Sequence, residues 1–219
     1  MRKPRRLTID ELAPFTWNLP RPETGSPASI EWATFFGNAQ PVEVEVGMGK
    51  GKFLLQSAQT RPDTNFLGIE IVRKYQLYAT TRFAIRKLPN VKTACADAKI
   101  VLRDHMAPAS LSAVHVYFPD PWWKQRHRKR RVFTPEFAAL TAKVLKEGGH
   151  LHIATDVPEY FQVMMAIVRA MPEYRESLTP EEKAPENDRD CMTNFERKAR
   201  LKGTAIDRAI FERISTPAP

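Results

Sequence analysis

Apolar and polar positions alternate along Val42–Val46, where Val42, Val44 and Val46 are separated by Glu43 and Glu45. A period of two predicts a β-strand. The glycine-rich run Gly47–Gly51 follows and opens a helical apolar run at Phe53-Leu54-Leu55. The same rhythm then repeats. Asn65–Ile71 reads as a second strand, followed by a helix carrying Leu77, Ala84, Ile85 and Leu88 at spacings i, i+7, i+8 and i+11. Val91–Ala96, Ala113–Phe118 and His150–Thr155 read as three further strands. Thr134-Pro135-Glu136 starts a helix with proline at its first position, and Gly148-Gly149 is expected to end it. Val157–Met171 reads as a helix closed by Pro172, Thr193–Lys202 as another, and Ala205–Ile214 as a final strand. Strands separated by helical stretches predict an α/β fold, a mostly parallel sheet with helices on both faces.

Elsewhere the periodicity fades. Residues 1–28 contain Pro4, Pro14, Pro20, Pro22 and Pro27 among scattered cations. They read as a basic, proline-containing arm ahead of a folded domain at 29–219, either mobile or wrapped on it, and a candidate second contact for a polyanion. Ser29–Phe36 reads as a short helix with Ser29 as its N-cap and Gly37 as its stop. Pro172–Asp190 is polar and acidic and reads as a surface loop or lid.

Composition narrows the class. The chain has 219 residues, 42% of them apolar and 27% charged, with a net charge of +9. That balance describes a globular domain with an anionic partner. Six of the 34 cations fall between Lys124 and Arg131. Cys95 and Cys191 make no CxxC motif and point to a reducing compartment. No apolar run approaches the roughly 20 residues of a membrane span. The charged start Met1–Arg6 meets Asp10 and Glu11 rather than an apolar core, so the expected location is cytoplasmic. No obligatory protein partner is evident.

Two stretches carry chemistry. Gly47, Gly49 and Gly51 stand between a strand and a helix, where the backbone must bend sharply and approach a ligand closely. Glu70 closes the next strand, 21 residues after Gly49, suited to accept hydrogen bonds from ribose hydroxyls. A dinucleotide fingerprint would place its third glycine at Lys52, which argues against a nicotinamide-dependent oxidoreductase. With Glu45 two residues ahead of Gly47, the loop instead resembles the S-adenosylmethionine loop of Rossmann-like methyltransferases. A plain tight turn is the alternative. Asp97 then lies near the adenine, or simply caps the next helix; both readings stand.

The second stretch is Tyr117–Arg131, YFPDPWWKQRHRKRR. Pro119 and Pro121 pin Asp120, two tryptophans follow, and then the cations. Trp122 either stacks on a base or packs against the sheet. Lys124–Arg131 suits phosphate binding, against the alternative of a solvated charged face.

Together, EVGMGKG, LGIE, YFPDPWWKQRHRKRR, ATD and TNFE resemble the bacterial tRNA (guanine-N7-)-methyltransferase family, in order from about Pro41 to the C-terminus. The resemblance implies a Rossmann-like methyltransferase fold with a seven-stranded sheet. It implies that Glu45, Glu70, Asp97 and Asp120, with the loop glycines, surround S-adenosylmethionine. Lys124, Asp156 and the stretch Thr193, Asn194, Phe195 and Glu196 would contact the substrate. Arg126, His127, Arg128, Lys129, Arg130 and Arg131 would face tRNA. Trp123 and Phe195 depart from the His and Tyr often found there. Read from the residues alone, Thr193-x-x-Glu196 and Asp156 with Glu159 are capping boxes. His150 and His152 share a strand face without a ligand set around them, so no metal is expected. Guanine N7 presents a lone pair, so methyl transfer needs no general base, and Asp120 is the candidate catalytic residue, orienting the base or stabilising its developing charge. The alternative is a noncatalytic RNA-binding protein that retains the fold.

Overall fold

A computed structural model describes residues 7–19, 29–177 and 193–215, apart from the Arg128 side chain. The chain order is α1 (Ile9–Leu12), a 3-10 turn, β1 (Thr16–Trp17), α2 (Trp32–Phe36), β2 (Val42–Val46), α3 (Lys52–Thr60), β3 (Asn65–Glu70), α4 (Arg73–Ile85), β4 (Val91–Cys95) and α5 (Ala98–Asp104). Then come β5 (Leu111–Tyr117), a 3-10 helix (Gln125–Arg130), α6 (Pro135–Val144), β6 (Leu145–Thr155), α7 (Pro158–Arg169), β7 (Tyr174–Ser177), α8 (Asn194–Leu201) and β8 (Asp207–Arg213).

The strands form one sheet in the order β1-β4-β3-β2-β5-β6-β8-β7. Pairings from β1 through β6 are parallel, and β8 runs antiparallel between β6 and β7. β2 and β3 lie at the centre with every residue buried, including Glu43 and Glu45. Strict alternation therefore did not mean a half-exposed strand here: helices cover both faces, and the glutamates are buried with partners or charge neighbours of their own.

The sheet has eight strands rather than seven. Two short ones lay in stretches read as irregular. β1 comes from the expected arm, entered through a capping box at Thr8 and Glu11, and extends the sheet beside β4. β7 comes from the start of the expected loop; residues 178–190 of that loop, like residues 1–6 and 20–28 of the arm and Cys191, lie outside the described residues.

Two expected boundaries and one expected face change. α2 begins at Trp32, capped by the Glu31 carboxylate rather than by Ser29. α6 ends at Val144, and Gly148-Gly149 fall inside β6 instead of ending the helix. They sit where the β5 pairing shifts register; Gly148 has φ 72°, and a Cβ on Gly149 would stand 2.8 Å from the Lys146 carbonyl. The buried face of α4 is Gln76, Ala79, Thr80 and Phe83, not the Leu77–Leu88 stripe; Leu77 and Ile85 are exposed. Polar residues hold that face through bonds to one another: the Gln76 amide nitrogen donates to Thr80 (2.9 Å) and Thr93 (2.7 Å), and the two threonine hydroxyls lie 2.6 Å apart, although the Gln76 side-chain oxygen has no partner. No helix among the described residues is long and apolar enough to cross a membrane.

Candidate active site

Neighbouring strands β3 and β5 lie on either side of β2, so their chains leave in opposite directions at the carboxyl edge of the sheet and open a crevice there. The glycine loop stands at that crevice. Gly47, Gly49 and Gly51 adopt φ of 75°, 53° and 64°, a region that disfavours side chains. Around Gly47 and Gly49 an added Cβ would meet nothing within 4 Å, whereas at Gly51 it would stand 2.7 Å from the Phe83 ring and 2.8 Å from Ala79. Two glycines thus leave open space toward the crevice, and the third lets α3 pack on α4.

Glu70 braces this loop. Its Oε2 accepts from the Gly49 N–H (2.9 Å) and its Oε1 from the Val72 N–H (2.8 Å). Glu45 is buried, and its Oε2 has no hydrogen-bond partner. Burial, aided by the Glu70 charge, pushes the Glu45 carboxyl up to about 8. An orphaned polar atom in a closed site costs free energy unless a ligand meets it. Asp97 does cap α5, accepting from the Lys99 N–H at 2.8 Å, while its side chain stays exposed.

The Asp120 turn is built differently. Phe118 and Trp122 bracket Pro119-Asp120-Pro121, and both are non-glycine residues at positive φ, 52° and 42°. Such positions cost roughly 1–2 kcal/mol each and persist only where surroundings enforce them. Phe118 keeps its ladder bond to the Ala154 carbonyl (2.7 Å). Arg131 supplies a second restraint: its Nε donates to the Pro121 carbonyl (2.7 Å), and its guanidinium lies 4.6 Å from the Tyr160 ring centroid on α7. The Asp120 carboxylate is left exposed at the apex.

Arg131, expected among the RNA-facing cations, is half-buried and bonded to the turn. Trp122 is half-buried between His127 (edge-on, 5.7 Å) and the Arg130 guanidinium (5.1 Å), so it packs within the basic segment instead of on the sheet. Trp123 is 59% exposed. Lys124, Arg126, Lys129 and Arg130 are exposed and His127 is half-buried.

On α8 the four expected substrate residues divide. Thr193 caps the helix, its hydroxyl accepting from the Glu196 N–H (2.9 Å). Glu196 is buried and pairs with Arg200 (3.0 Å) and with Arg208 on β8 (3.1 Å). Phe195 is 51% exposed and stacks on Phe118 at 6.1 Å, which brings α8 to the Asp120 turn; Asn194 beside it is half-buried. Asp156 does not cap α7, whose N-cap is Val157 without a side-chain bond. The Thr155 hydroxyl accepts from the Val157 N–H instead.

A buried network joins β2 and β5, the strands that lead into the two turns. His115 Nε2 lies 2.9 Å from Glu43 Oε2 and Nδ1 lies 3.0 Å from the Tyr117 hydroxyl. Burial raises the Glu43 carboxyl, but bonds from His115 and Arg61 outweigh it and bring the group down to about 2. Burial lowers His115 and raises Tyr117, so a neutral imidazole donates to the carboxylate and accepts from the phenol. His152 stacks on His115 at 4.6 Å and is pushed down to about 3 by burial and that neighbour. Sequence reading passed over Glu43, His115, Tyr117, Phe118 and the Arg131 restraint, because nothing in their spacing announces that they meet. Among the described residues no group of three or more His, Cys, Asp or Glu is arranged to hold a metal ion.

The chain is similar to known proteins. A family described as "Putative methyltransferase" matches residues 39–209. A tRNA (guanine-N(7)-)-methyltransferase of Rhodopirellula baltica is 40% identical over 195 residues, 86% of this chain and 72% of that one. One from Streptomyces coelicolor is 36% identical over 87% of this chain and 70% of the relative. Among solved structures, a mutant 16S rRNA (adenine(1408)-N(1))-methyltransferase with cosubstrate SAM from Catenulisporales acidiphilia superposes with a TM-score of 0.62 at 16% identity, covering 86% of this chain and 92% of that one. The aminoglycoside resistance methyltransferase NpmB1 gives 0.60 at 18% identity, covering 90% and 95%. At such identities these two structures establish the Rossmann-like methyltransferase fold alone.

Proposed function

The chain belongs to the tRNA (guanine-N7-)-methyltransferase family, and we propose that the Asp120 turn is where it transfers a methyl group from S-adenosylmethionine to N7 of a guanine in tRNA. By the family resemblance that guanine is the one in the variable loop, and the protein works in the cytoplasm. One observation carries the site: an exposed carboxylate on a turn held by two prolines and two left-handed residues, on the strand paired with the one that feeds the glycine loop.

The crevice fits the methyl donor in three respects. Open space lies over Gly47 and Gly49, the Glu45 carboxyl offers an unpartnered buried oxygen, and Glu70 stands at the loop with both carboxylate oxygens fixed in place. When bound, S-adenosylmethionine supplies an electrophilic methyl on a sulfonium. Gly51 packs the loop that receives it, and Asp97 faces the adenine while capping α5. Asp120 orients the guanine and stabilises the positive charge it gains, without taking a proton. A carboxylate carried on a backbone already fixed in place needs little reorganisation in doing so.

Lys124, Asp156, Asn194 and Phe195 contact the substrate, while Thr193 and Glu196 hold the helix that presents Phe195. Arg126, Arg128, Lys129 and Arg130 bind the RNA backbone, with His127 and Trp122 stiffening the segment between them. Arg131 positions the catalytic turn.

Incubating tRNA with methyl-labelled S-adenosylmethionine and mapping the product tests this reading. Label is expected on guanine N7, and Asp120→Ala is expected to lower kcat by about 10²–10³-fold with tRNA affinity unchanged. Equal loss of both would remove Asp120 from the chemistry. Binding of tRNA without any transfer would establish the noncatalytic alternative.

A further inference from the structure

α4 has an exposed flank that the proposed chemistry leaves unused. Its buried face is Gln76, Ala79, Thr80 and Phe83. On the opposite side Lys74, Tyr75, Tyr78, Arg82 and Ile85 form a stripe about 100° wide. Half of the twelve large exposed hydrophobics among the described residues lie between Ile71 and Ile85, with Ile71 69% and Tyr78 47% exposed. Such a concentration marks an interaction surface rather than scattered surface apolar residues.

Charge decides what it meets. From Ile71 to Ala96 the chain has six cations and no carboxylate. Lys92 is turned onto the Phe35 ring (4.8 Å), but Arg73, Lys74, Arg86 and Lys87 are exposed. Tyr78 is flanked by the Lys50 ammonium (5.6 Å) and the Arg82 guanidinium (5.8 Å), and Arg82 donates to the Lys50 carbonyl (2.8 Å). The flank is thereby tied to the glycine loop. Aromatic faces interleaved with cations, with no carboxylate in the segment itself and Asp10 and Glu11 contributed only by α1 beside it, suit a polyanion whose bases or riboses stack.

Position completes the argument. α4 leaves β3 and the Asp120 turn leaves β5, on either side of β2, two strand spacings or about 10 Å apart. The basic segment and the α4 flank therefore stand on opposite banks of the crevice. We propose that the flank of α4, with Lys50, is a second RNA-binding surface that grips the substrate across the crevice from the Lys124–Arg130 segment. This rests on the reading of the substrate as tRNA.

Two double variants test it, Arg73→Ser with Lys74→Ser, and Lys124→Ser with Lys129→Ser as reference. Tyr78→Ser is added to remove the aromatic contact alone. Affinity for unmodified tRNA is measured across a salt series, alongside S-adenosylmethionine affinity and thermal melting. The α4 pair is expected to weaken tRNA binding about tenfold and to flatten the salt slope by about 1–2 units, with the other two readouts unchanged. Tyr78→Ser is expected to weaken binding without changing the slope. Loss only in the reference pair overturns the second surface and leaves the tRNA reading standing. Unchanged binding in both pairs overturns both. Concentration-dependent dimerisation that Tyr78→Ser abolishes, with tRNA affinity intact, would assign the flank to a second copy of the chain instead.

Discussion

The two turns at the carboxyl edge of the sheet solve the same problem by opposite means. Both hold a defined backbone at the end of a buried parallel strand. The loop after β2 does so by omission: three glycines take positive φ, and Glu70 braces Gly49 from below. The turn after β5 does so by addition. Phe118 and Trp122 take positive φ with large side chains, held by prolines, by Arg131 on the Pro121 carbonyl and by the stack of Phe195 on Phe118. A loop of glycines leaves space for a ligand to occupy. A turn braced by aromatics and a guanidinium fills its own surroundings and exposes one carboxylate. That difference fits a cofactor cradle beside a catalytic mount.

Breaking the cradle alone should have the largest effect on stability. Gly51→Ala combines left-handed strain with a Cβ 2.7 Å from Phe83, and is expected to cost about 3 kcal/mol and to lower Tm on the order of 10 °C. Gly49→Ala, strained but unobstructed, is expected to cost roughly half as much. Equal melting shifts would mean that packing against α4 plays no part at Gly51.

The His115–Glu43 bond ties the strand below one turn to the strand below the other, and His152, stacked on His115, makes this buried region sensitive to pH. His152 is held near 3 in the folded chain against 6.5 for an ordinary histidine. The unfolded chain thus binds a proton that the folded chain refuses. This stabilisation is complete above pH 6.5 and is lost as pH falls from 6.5 toward 3, by about 2 kcal/mol at pH 5. Burial lowers His115 too, and its loss runs in the same direction. Denaturant unfolding at pH 7.5 and pH 5 should show this decline, and His152→Asn should show less of it. An equal decline in both proteins would place the acid sensitivity elsewhere.

The smallest expected effect breaks the mount alone. Arg131→Ala is expected to lower kcat about tenfold, roughly 1.4 kcal/mol, with tRNA and S-adenosylmethionine affinities unchanged and partial recovery in Arg131→Lys. A raised KM for tRNA at constant kcat would return Arg131 to the RNA-facing set.

What could be read in the chain follows from how local each signal is. Strands β2 to β6 and β8 appeared as apolar runs because burial on a sheet imposes a short period. The glycine loop and the Pro-Asp-Pro turn appeared because their backbone needs are met by residue types with few other uses. α4 was read with the wrong face inward, since periodicity weighs apolar content and cannot see that Gln76, Thr80 and Thr93 hydrogen-bond one another across two elements. β1 and β7 were missed because two- and four-residue strands carry almost no pattern and are fixed by the neighbours they pair with.

The sequence by itself determined the class of fold, the glycine loop between strand and helix and the Pro-Asp-Pro turn, because each depends on residues adjacent in the chain. Only the tertiary structure decided that Arg131 braces the turn, that Glu196 is locked between two arginines and that Asp156 does not cap α7. Those roles rest on partners as far away as α7 and β8, and a side chain's partner across space is set by packing, not by its place in a motif.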